Sequence, residues 1–509
     1  MLQRKQLLGY DITLSVERLA VLIAAFAIYF IVNFLVRMAL PGGLELDEAE
    51  QAYFSQWLLA GYSSQPPLYN WLQYAASEVF GLSLATLSGL KNCLLFAAYG
   101  FYWLAARQVV RDKDMAVVAA LGLLTIPQVA FEAQRDLSHT VATIVTASLF
   151  LCAFLHCLKR PSIPAFALLG LATGLGLIAK YNFMLLPAAA FLAILSDREW
   201  RPRLLDWRVL VAAAVALIVV APHALWLADH FMATTSHTMR KLTAGDTNFI
   251  LAILKGLASL AIACLGFAGL TLVVFGLSYR ERLPAIVRAS DDKTRLLGRT
   301  LLFSLGLIVL MILFAGVENI RDRWLTPILI VLPLYLAVKI DAADTGMQPG
   351  LKRMWTVAIV IMMIVPTALL GRVATAQFTG IYQYPNYPFP ALADELRPLA
   401  TSTPVLIVAS DSHLAGNLRI NLPTVSVTTL STPTDVETLP VAGHKRLLFV
   451  WRNSGGVQPS DFPVEFIEYL RKRGITAPRS AAAVTGLPFT FGKGDDRYRF
   501  AYASVDLRH

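Results

Sequence analysis

The chain has 509 residues, of which 56% are hydrophobic and only 15% are charged, and this combination excludes an ordinary soluble globular protein. The formal net charge of +10 does not indicate a nucleic acid partner. Most lysines and arginines lie in short segments between apolar runs, which is the distribution of cytoplasmic loops in membrane proteins. The sequence therefore predicts a mainly α-helical protein that crosses a membrane many times.

About eleven apolar runs are long enough to cross the hydrocarbon core of a bilayer, which is about 30 Å thick. They lie at 19–38, 84–106, 115–131, 141–158, 163–178, 183–195, 209–227, 249–277, 300–315, 325–338 and 355–370. Every second connecting segment is basic, which places the N-terminus in the cytoplasm and the C-terminus outside. We therefore predict a membrane domain at residues 1–371, with an outer loop at 41–83.

The composition changes after about residue 371, where apolar density falls and prolines become frequent, as in a linker. Strand-like runs follow at 405–409, 424–429, 447–451 and 498–504, and a helix-like pattern lies at 464–473. The sequence predicts a small soluble α/β domain at residues 372–509 on the outer side of the membrane.

The segment 44–72 contains a dense group of acidic side chains directly after the first apolar run, and it has no lysine or arginine. The group consists of Glu45, Asp47, Glu48 and Glu50. Neighbouring carboxylates repel one another, which is tolerated when they bind a cation, take up a proton or face a cationic partner. The alternative is a solvated helix start, where the macrodipole favours acidic residues. Both interpretations stay open at this point.

Five cationic residues from distant loops are predicted on the same outer face as this acidic group. They are Lys180, Arg240, Lys241, Arg321 and Arg323. Arginine binds phosphate through two parallel N–H groups and lysine binds it as a point charge, so a lipid-linked phosphate is the predicted ligand. For Arg240 and Lys241 the alternative is that the side chains only extend to the membrane interface.

A further polar segment, RDLSHT at 135–140, lies where the third apolar run gives way to the fourth. Asp136 and His139 are one helical turn apart and face the same side, so Asp136 is a catalytic candidate and Arg135 a candidate for substrate binding. The alternatives are a local ion pair for Arg135 and Asp136, and a hydrogen-bonded structural role in place of metal binding for His139. Tyr62 is either an interfacial anchor or a platform for a sugar ring.

Several motifs together resemble those of GT-C type membrane glycosyltransferases. The group that they resemble contains the protein O-mannosyltransferase-like bacterial enzymes, including the aminoarabinose and galacturonic acid transferases of lipopolysaccharide. The first outer loop carries Asp47-Glu48-Ala49, Gly61-Tyr62, Pro66-Pro67-Leu68 and Trp71-Leu72. Later landmarks are Asp136-Leu137-Ser138-His139-Thr140, Ala179-Lys180-Tyr181-Asn182 and Arg323-Trp324-Leu325 followed by Pro327.

The resemblance implies a GT-C fold and the transfer of a sugar from a polyprenyl-phosphate donor to a glycan or glycolipid acceptor such as lipopolysaccharide. The site would lie at the periplasmic face of a bacterial inner membrane. By this carry-over Asp47 is the catalytic base, and Glu48 supports it or helps it to bind a divalent cation such as Mg, Mn, Ca or Zn. Lys180 with Tyr181, and Arg323, hold the donor. Gln65 stands where relatives commonly have Lys or His.

The chemistry of this reaction agrees with the charged residues. Breaking a glycosyl–phosphate bond places positive charge on the sugar carbon and negative charge on the phosphate, so carboxylates and cations on one surface suit its transition state. The alternative function is a flippase or transporter for lipid-linked sugars. A transporter is expected to place charges near the bilayer midplane in paired broken helices, whereas the charges here are predicted at one face. The sequence does not indicate an oligomeric state.

Overall fold

The computed structural model describes residues 2–62, 64–242, 249–344, 348–401, 404–430, 441, 443–453, 462–476 and 479–507. For residues 2–18 and 232–242 it describes the backbone alone. The chain divides into two compact units. The first unit consists of Met1–Asn33, Ser64–Leu68 and Lys91–Pro366, and the second consists of Phe34–Ser63, Tyr69–Leu90 and Thr367–His509.

The first unit is mainly helical, and the second unit combines helices with a sheet. The α-helices are, in chain order, α1 Leu2–Ala39, α2 Leu46–Phe54, α3 Leu68–Phe80, α4 Leu84–Val109, α5 Lys113–Gly122, α6 Ala133–Arg135, α7 Ser138–Lys159, α8 Ile163–Leu177, α9 Leu185–Ser196, α10 Val209–Leu242, α11 Phe249–Ser278, α12 Leu283–Arg288, α13 Asp292–Ala315, α14 Thr326–Leu329, α15 Val331–Ala342, α16 Gln348–Ala374, α17 Ala376–Thr379, α18 Phe389–Thr401, α19 Ser412–Asn421 and α20 Val464–Lys472. Short 3-10 helices lie at Leu123–Thr125, Tyr181–Met184, Arg201–Leu205, Arg280–Arg282, Asp322–Leu325 and Tyr384–Asn386, and a π-helix lies at Gln128–Glu132.

Within the described residues, six helices are long and apolar enough to span a membrane, and two bent helix pairs raise the number to as many as eight. Two shorter apolar helices lie at Ile163–Leu177 and Tyr181–Ser196. The protein is therefore a multi-pass membrane protein of mainly α-helical structure. The count of about eleven spans stays a prediction.

Small residues bring two helices of the first unit into backbone contact. A Cβ atom at Gly170 of α8 would lie 2.3 Å from the carbonyl oxygen of Ala212 in α10, and one at Gly174 would lie 2.8 Å from Cβ of Val219. Between membrane helices such close approach supplies packing that hydrophobic burial alone does not. It holds α8, which leads into Lys180, against α10.

Both bent helix pairs lie in the first unit. Lys113–Thr125 and Gln128–Arg135 meet at 74°, around Pro127 and the π-helix, which are two common causes of helix breaks. Asp322–Leu329 and Val331–Ala342 meet at 44°. At that second break the Tyr102 hydroxyl donates to the Ile330 carbonyl at 2.6 Å and accepts from the Leu334 amide at 2.9 Å, so it stands between two groups that a regular helix would pair directly.

The second unit contains a five-stranded mixed sheet. The strands are β1 Val405–Ala409, β2 Ser426–Thr429, β3 Arg446–Arg452, β4 Ala483–Pro488 and β5 Arg497–Asp506, in the order β2-β1-β3-β5-β4. β1 pairs in parallel with β2 and β3, with Leu406 opposite Ser426 and Val405 opposite Arg446. β5 pairs antiparallel with β3 and β4. Four strands and α20 lie where the sequence predicts strands and a helix, whereas β4 was not predicted.

The central strand β1 is buried on both faces. One face packs with α20 through Leu406, Val408 and Phe466. The other face packs with α18 and α19, and the same cluster includes Tyr53 of α2. Phe54 and Tyr62 belong to it as well. Part of the first outer loop therefore shares a hydrophobic core with the sheet, and this grouping differs from the sequence division at residue 371.

Candidate active site

Lys180 lies where the chain leaves α8. The Lys180 amide still bonds to the Gly176 carbonyl at 3.2 Å, but the residue itself is extended, with φ −162° and ψ 133°, so the helix ends there. The Lys180 ammonium donates to the Thr140 hydroxyl at 3.0 Å, and Thr140 is buried in the first turn of α7. The landmark around Lys180 and the one around Asp136 are thus joined by a direct hydrogen bond.

The Pro66-Pro67-Leu68 landmark reaches the same region of the first unit. The Leu68 amide donates to the Ile178 carbonyl at 2.9 Å, two residues before Lys180, and both prolines are buried. Gln65, which directly precedes Pro66, is half-buried. Three of the motifs quoted above therefore meet around the end of α8.

Tyr181 contacts α10. Its hydroxyl lies 3.0 Å from Nε2 of His223, and the rings of Tyr181, His223, Trp226 and His230 stack in succession, with centroid separations of 5.9, 5.6 and 4.6 Å. These contacts connect the residue after Lys180 to a helix about forty residues further along the chain. The predicted role of Tyr181 in substrate binding stays a prediction.

An open cavity of about 940 Å³ lies in the first unit beside the predicted cations. Its charged lining residues are Glu132, Lys255, Glu318, Arg321, Asp322 and Arg323. The Asp322 carboxylate accepts from the side-chain amide of Gln128 at 2.6 Å and from the backbone amide of Arg323 at 2.7 Å. Asn182 donates to the Trp324 carbonyl at 2.6 Å, which joins the segment after Lys180 to the segment around Arg323. Arg321 is exposed and Arg323 is half-buried, so a negatively charged ligand has access to both guanidinium groups.

The segment at 135–140 forms a sharp corner. Arg135 donates to Glu132 at 2.6 Å, so its ion pair is with that residue. Asp136 is buried, and Leu137 has a left-handed backbone with φ 66°, which is strained for a branched side chain. α7 begins at the next residue and contains the buried His139. The cavity is lined at this corner by Leu137.

The acidic group belongs to the second unit, where two of its members form buried ion pairs. Glu48 is 2% exposed, and Arg37 at the end of α1 contacts both its oxygens, at 3.0 Å to Oε1 and 2.7 Å to Oε2. Glu48 also accepts from the Glu45 amide at 3.1 Å, which caps the start of α2, so this side chain is buried there and not solvated. Glu45 pairs with Arg372 at the end of α16. The first turn of α2 is thus held from two helices by ion pairs.

Asp47 lies between these two pairs on the first turn of α2 and is half-buried. It is in the second unit, whereas Lys180 and Arg323 are in the first. The convergence of Asp47 with those cations is therefore a prediction.

Tyr62 closes the loop that follows α2. Its hydroxyl donates to the Trp57 carbonyl at 2.8 Å and accepts from the Leu59 amide at 3.1 Å. The ring is 1% exposed, and burial raises the pKa of Tyr62 to about 12. These contacts stabilise the loop, and the roles predicted for Tyr62, as an interfacial anchor or a platform for a sugar ring, stay predictions.

The surroundings of Glu48 bear on metal binding by the acidic group. Among the described residues, no three His, Cys, Asp or Glu side chains are grouped so that they could hold one. Both oxygens of Glu48 contact Arg37, and a guanidinium at that position repels a cation. The predicted metal ligands Asp47, Glu48 and His139 stay predictions. The side chains of Arg240 and Lys241 lie outside the described part of the chain.

The sequence matches known proteins over almost its whole length. Residues 64–226 match the family described as dolichyl-phosphate-mannose-protein mannosyltransferase. The chain is 46% identical to the lipopolysaccharide core galacturonosyltransferase RgtB of Rhizobium johnstonii, over 95% of this chain and 97% of RgtB. It is 41% identical to the lipopolysaccharide core galacturonosyltransferase RgtA of the same organism, over 97% of this chain and 98% of RgtA.

The chain belongs to the glycosyltransferase family of RgtA and RgtB. Sugar transfer is therefore its activity, and the transporter alternative is set aside. The structure of this glycosyltransferase is also similar to ArnT from Cupriavidus metallidurans bound to undecaprenyl phosphate, with a TM-score of 0.59 and 13% identity, over 94% of this chain and 97% of ArnT. The apo ArnT structure gives a TM-score of 0.58. This likeness confirms the expected GT-C fold.

Several residues of this glycosyltransferase make buried polar contacts, in one unit or the other, that were not foreseen from the sequence. Arg37 and Arg372 lie at the ends of predicted spans, and Gln128 lies inside one, so each resembled an ordinary interfacial or intramembrane polar residue. A charged or amide side chain in a membrane segment is costly without a partner. This cost indicated that Arg37, Arg372 and Gln128 have partners, but it did not identify Glu48, Glu45 and Asp322 as those partners.

Proposed function

We propose that this protein transfers a galacturonosyl group from a polyprenyl-phosphate donor to the core of lipopolysaccharide. The identity of 46% to RgtB over nearly the whole of both chains carries this proposal for the sugar and the acceptor. The similarity in fold to ArnT bound to undecaprenyl phosphate supports a polyprenyl-phosphate donor. The alternating basic loops support an inner-membrane protein with a cytoplasmic N-terminus, a periplasmic site and a periplasmic C-terminal segment.

In the proposed reaction, a hydroxyl oxygen of the acceptor attacks the anomeric carbon of the donor sugar. The bond from that carbon to the phosphate oxygen breaks, and the polyprenyl phosphate leaves with the electron pair. Asp47 takes the proton of the attacking hydroxyl, which makes the oxygen a better nucleophile as the bond forms. The phosphate needs no proton to leave, so one base is sufficient.

Cationic groups stabilise the charge that grows on the leaving phosphate. Lys180 and Arg323 have this role in the proposal. Their hydrogen-bonded surroundings hold them before the substrate binds, Lys180 through Thr140 and the segment of Arg323 through Asn182 and Trp324. Groups that are held in place in this way do not need to reorganise in the transition state.

The test is a transfer assay with purified protein, a synthetic polyprenyl-phosphate galacturonic acid and lipopolysaccharide core that lacks this sugar. Mass spectrometry should show the addition of one galacturonosyl residue. A panel of other polyprenyl-phosphate sugars should transfer poorly, and preferential use of another sugar would contradict the proposed donor.

The base is tested with Asp47→Asn, which keeps the size of the side chain and removes its basicity. We expect kcat to fall by about 100-fold or more, as for other general bases, while donor binding is retained. Glu50→Gln is the matched control because it makes the same chemical change on the same helix. Equal activity in the Asp47 variant and the control would show that Asp47 is not the base.

A further inference from the structure

Two side chains of α19 bind both backbone groups of Leu44, three residues before Asp47. The Leu44 amide donates to Oδ1 of Asn417 at 2.9 Å, and Nε2 of His413 lies 2.7 Å from the Leu44 carbonyl oxygen. Leu44 and Asn417 are fully buried and His413 is 5% exposed. All three residues belong to the second unit, although Leu44 and Asn417 are 373 positions apart.

The partners of His413 determine its tautomer. Nη2 of Arg452 lies 2.6 Å from Nδ1, and because a guanidinium only donates, Nδ1 accepts. Nε2 therefore carries the proton and donates it to the Leu44 carbonyl. Burial lowers the pKa of His413 to about 4, which agrees with a neutral ring. Arg452 also contacts Asp411 at 3.1 Å, and the ring lies between the Arg452 guanidinium and the Leu44 carbonyl.

Helix α19 approaches α2 at backbone distance. A Cβ atom at Gly416 would lie 1.8 Å from the carbonyl oxygen of Ala49 and 2.5 Å from its carbonyl carbon. Ala49 is two residues after Asp47. Only glycine allows this approach, because any larger residue must push α2 away.

The far end of α2 is bound to the sheet. The Gln56 amide nitrogen donates to the Val427 carbonyl at 3.1 Å, and the Val427 amide donates to Oε1 of Gln56 at 3.3 Å. The segment carrying Asp47 is therefore held before, within and after α2 by the C-terminal part of the chain.

The contact between His413 and Leu44 lies near the point where the strand order of the sheet reverses. β2 and β3 lie on either side of β1, so the strand order reverses at β1. In open α/β sheets the crevice outside the carboxyl ends of the strands at such a point is where ligands bind. Asp411 follows β1 and Arg452 ends β3, and Arg452 contacts both Asp411 and His413. This position therefore serves to bind the backbone of Leu44 from the same chain.

We propose that the C-terminal sheet with α19 is a positioning scaffold for the catalytic helix α2, and that His413, Gly416 and Asn417 are positioning residues for Asp47. The proposal rests on the proposed function, in which Asp47 acts as the base. It explains why residues of the first outer loop share a core with the sheet, and it assigns the C-terminal segment a part in catalysis that requires no contact with substrate.

Three variants of the full-length protein test the scaffold. Gly416→Ala should lower kcat by about 100-fold, since a displacement of about 1 Å in a catalytic group has an effect of this size. His413→Phe should lower kcat similarly, because the Leu44 carbonyl loses its donor. His413→Gln should retain most of the activity, because its amide nitrogen reaches the position of Nε2. KM for the donor should change little in all three, since the base acts in the transition state.

Gly371→Ala is the matched control, because Gly371 is also in a helix of this unit and nothing lies within 4 Å of an added Cβ. Each kcat is measured per folded protein, with the unfolding temperature recorded alongside. If Gly416→Ala and His413→Phe keep the wild-type kcat per folded molecule, the positioning role is overturned. The same conclusion follows if His413→Gln is no better than His413→Phe.

Hydrogen exchange at the amides of 44–54 separates this inference from the proposed function. We expect faster exchange in Gly416→Ala and His413→Phe than in Gly371→Ala. If the wild-type protein shows no galacturonosyl transfer, the proposed function fails, and faster exchange would still support the scaffold. Unchanged exchange would overturn the scaffold whether or not transfer is observed.

Discussion

Replacing Arg37 by methionine should be among the most destabilising single changes outside the hydrophobic cores. The guanidinium contacts both oxygens of Glu48 and donates to the Gly43 carbonyl at 3.0 Å. The side chains are 9% and 2% exposed. Methionine fills a similar volume but removes every one of these hydrogen bonds and leaves a buried carboxylate without the guanidinium.

The expected loss of stability follows from the charge of Glu48, which stays buried in the Arg37→Met variant. Removing one partner of a buried ion pair costs about 3–5 kcal/mol, because the other charge stays desolvated. Glu48→Gln should cost less, since its side-chain oxygen still accepts from the Glu45 amide. In the double variant Arg37→Met with Glu48→Met no buried charge remains, and exchanging a whole buried pair for apolar side chains is often close to neutral. The double variant should therefore recover much of the stability that Arg37→Met loses.

The assay is the fraction of purified protein that stays monodisperse in detergent after heating. Arg353→Met is the control, because Arg353 makes an equally close two-point contact with Glu281, at 2.7 Å for both bonds. That pair is exposed, at 38% and 51%, and exposed pairs contribute little. If Arg37→Met and Arg353→Met lost equal stability, or if the double variant were less stable than Arg37→Met, the reasoning from burial would be refuted.

Three further predictions concern other contacts. Lys180→Met should lower kcat/KM for the lipid-phosphate donor by about tenfold or more, because the leaving phosphate loses a cation in the transition state. Thr140→Val removes only the 3.0 Å hydrogen bond to Lys180 and should have a smaller effect. An unchanged kcat/KM in Lys180→Met would exclude the phosphate role. Tyr102→Phe should destabilise the protein by about 1–3 kcal/mol, because two buried backbone groups lose a shared partner, and an unchanged unfolding temperature would count against it. Because the pKa of His413 is lowered from its ordinary 6.5 to about 4, the unfolded chain binds a proton that the native ring does not, so stability should fall as pH decreases from about 6.5 to about 4. His413→Gln should flatten this part of the pH profile, and an identical profile would show that His413 does not cause it.

Hydropathy and short motifs carried much of the sequence-based prediction. Apolar runs report membrane segments because the transfer of each residue into hydrocarbon depends mainly on its own side chain. The motifs around Asp47, Lys180 and Arg323 resembled GT-C enzymes, and the glycosyltransferase class was correct. The strands β1 and β3 were recognisable because they are short apolar runs rich in branched residues.

The partners of polar groups could not be predicted in the same way. The sequence showed four acids in the segment of Asp47 but did not identify Glu48 and Glu45 as those that pair with Arg37 and Arg372. It left chemistry and a solvated helix start open for the acidic group, and the structure shows Glu48 buried, with the Glu45 amide donating to it. The strand β4 was missed because a glycine and a proline interrupt its pattern.

The sequence alone determined that this chain crosses the membrane several times, because hydropathy depends on local composition. It also contained the short motifs whose resemblance to GT-C glycosyltransferases indicated the enzyme class. Only the tertiary structure decided that α2 is held by α19 and that Leu44 lies against Asn417, 373 positions away. Such contacts depend on how distant segments pack, and a buried polar group selects its partner by geometry and not by its place in the chain.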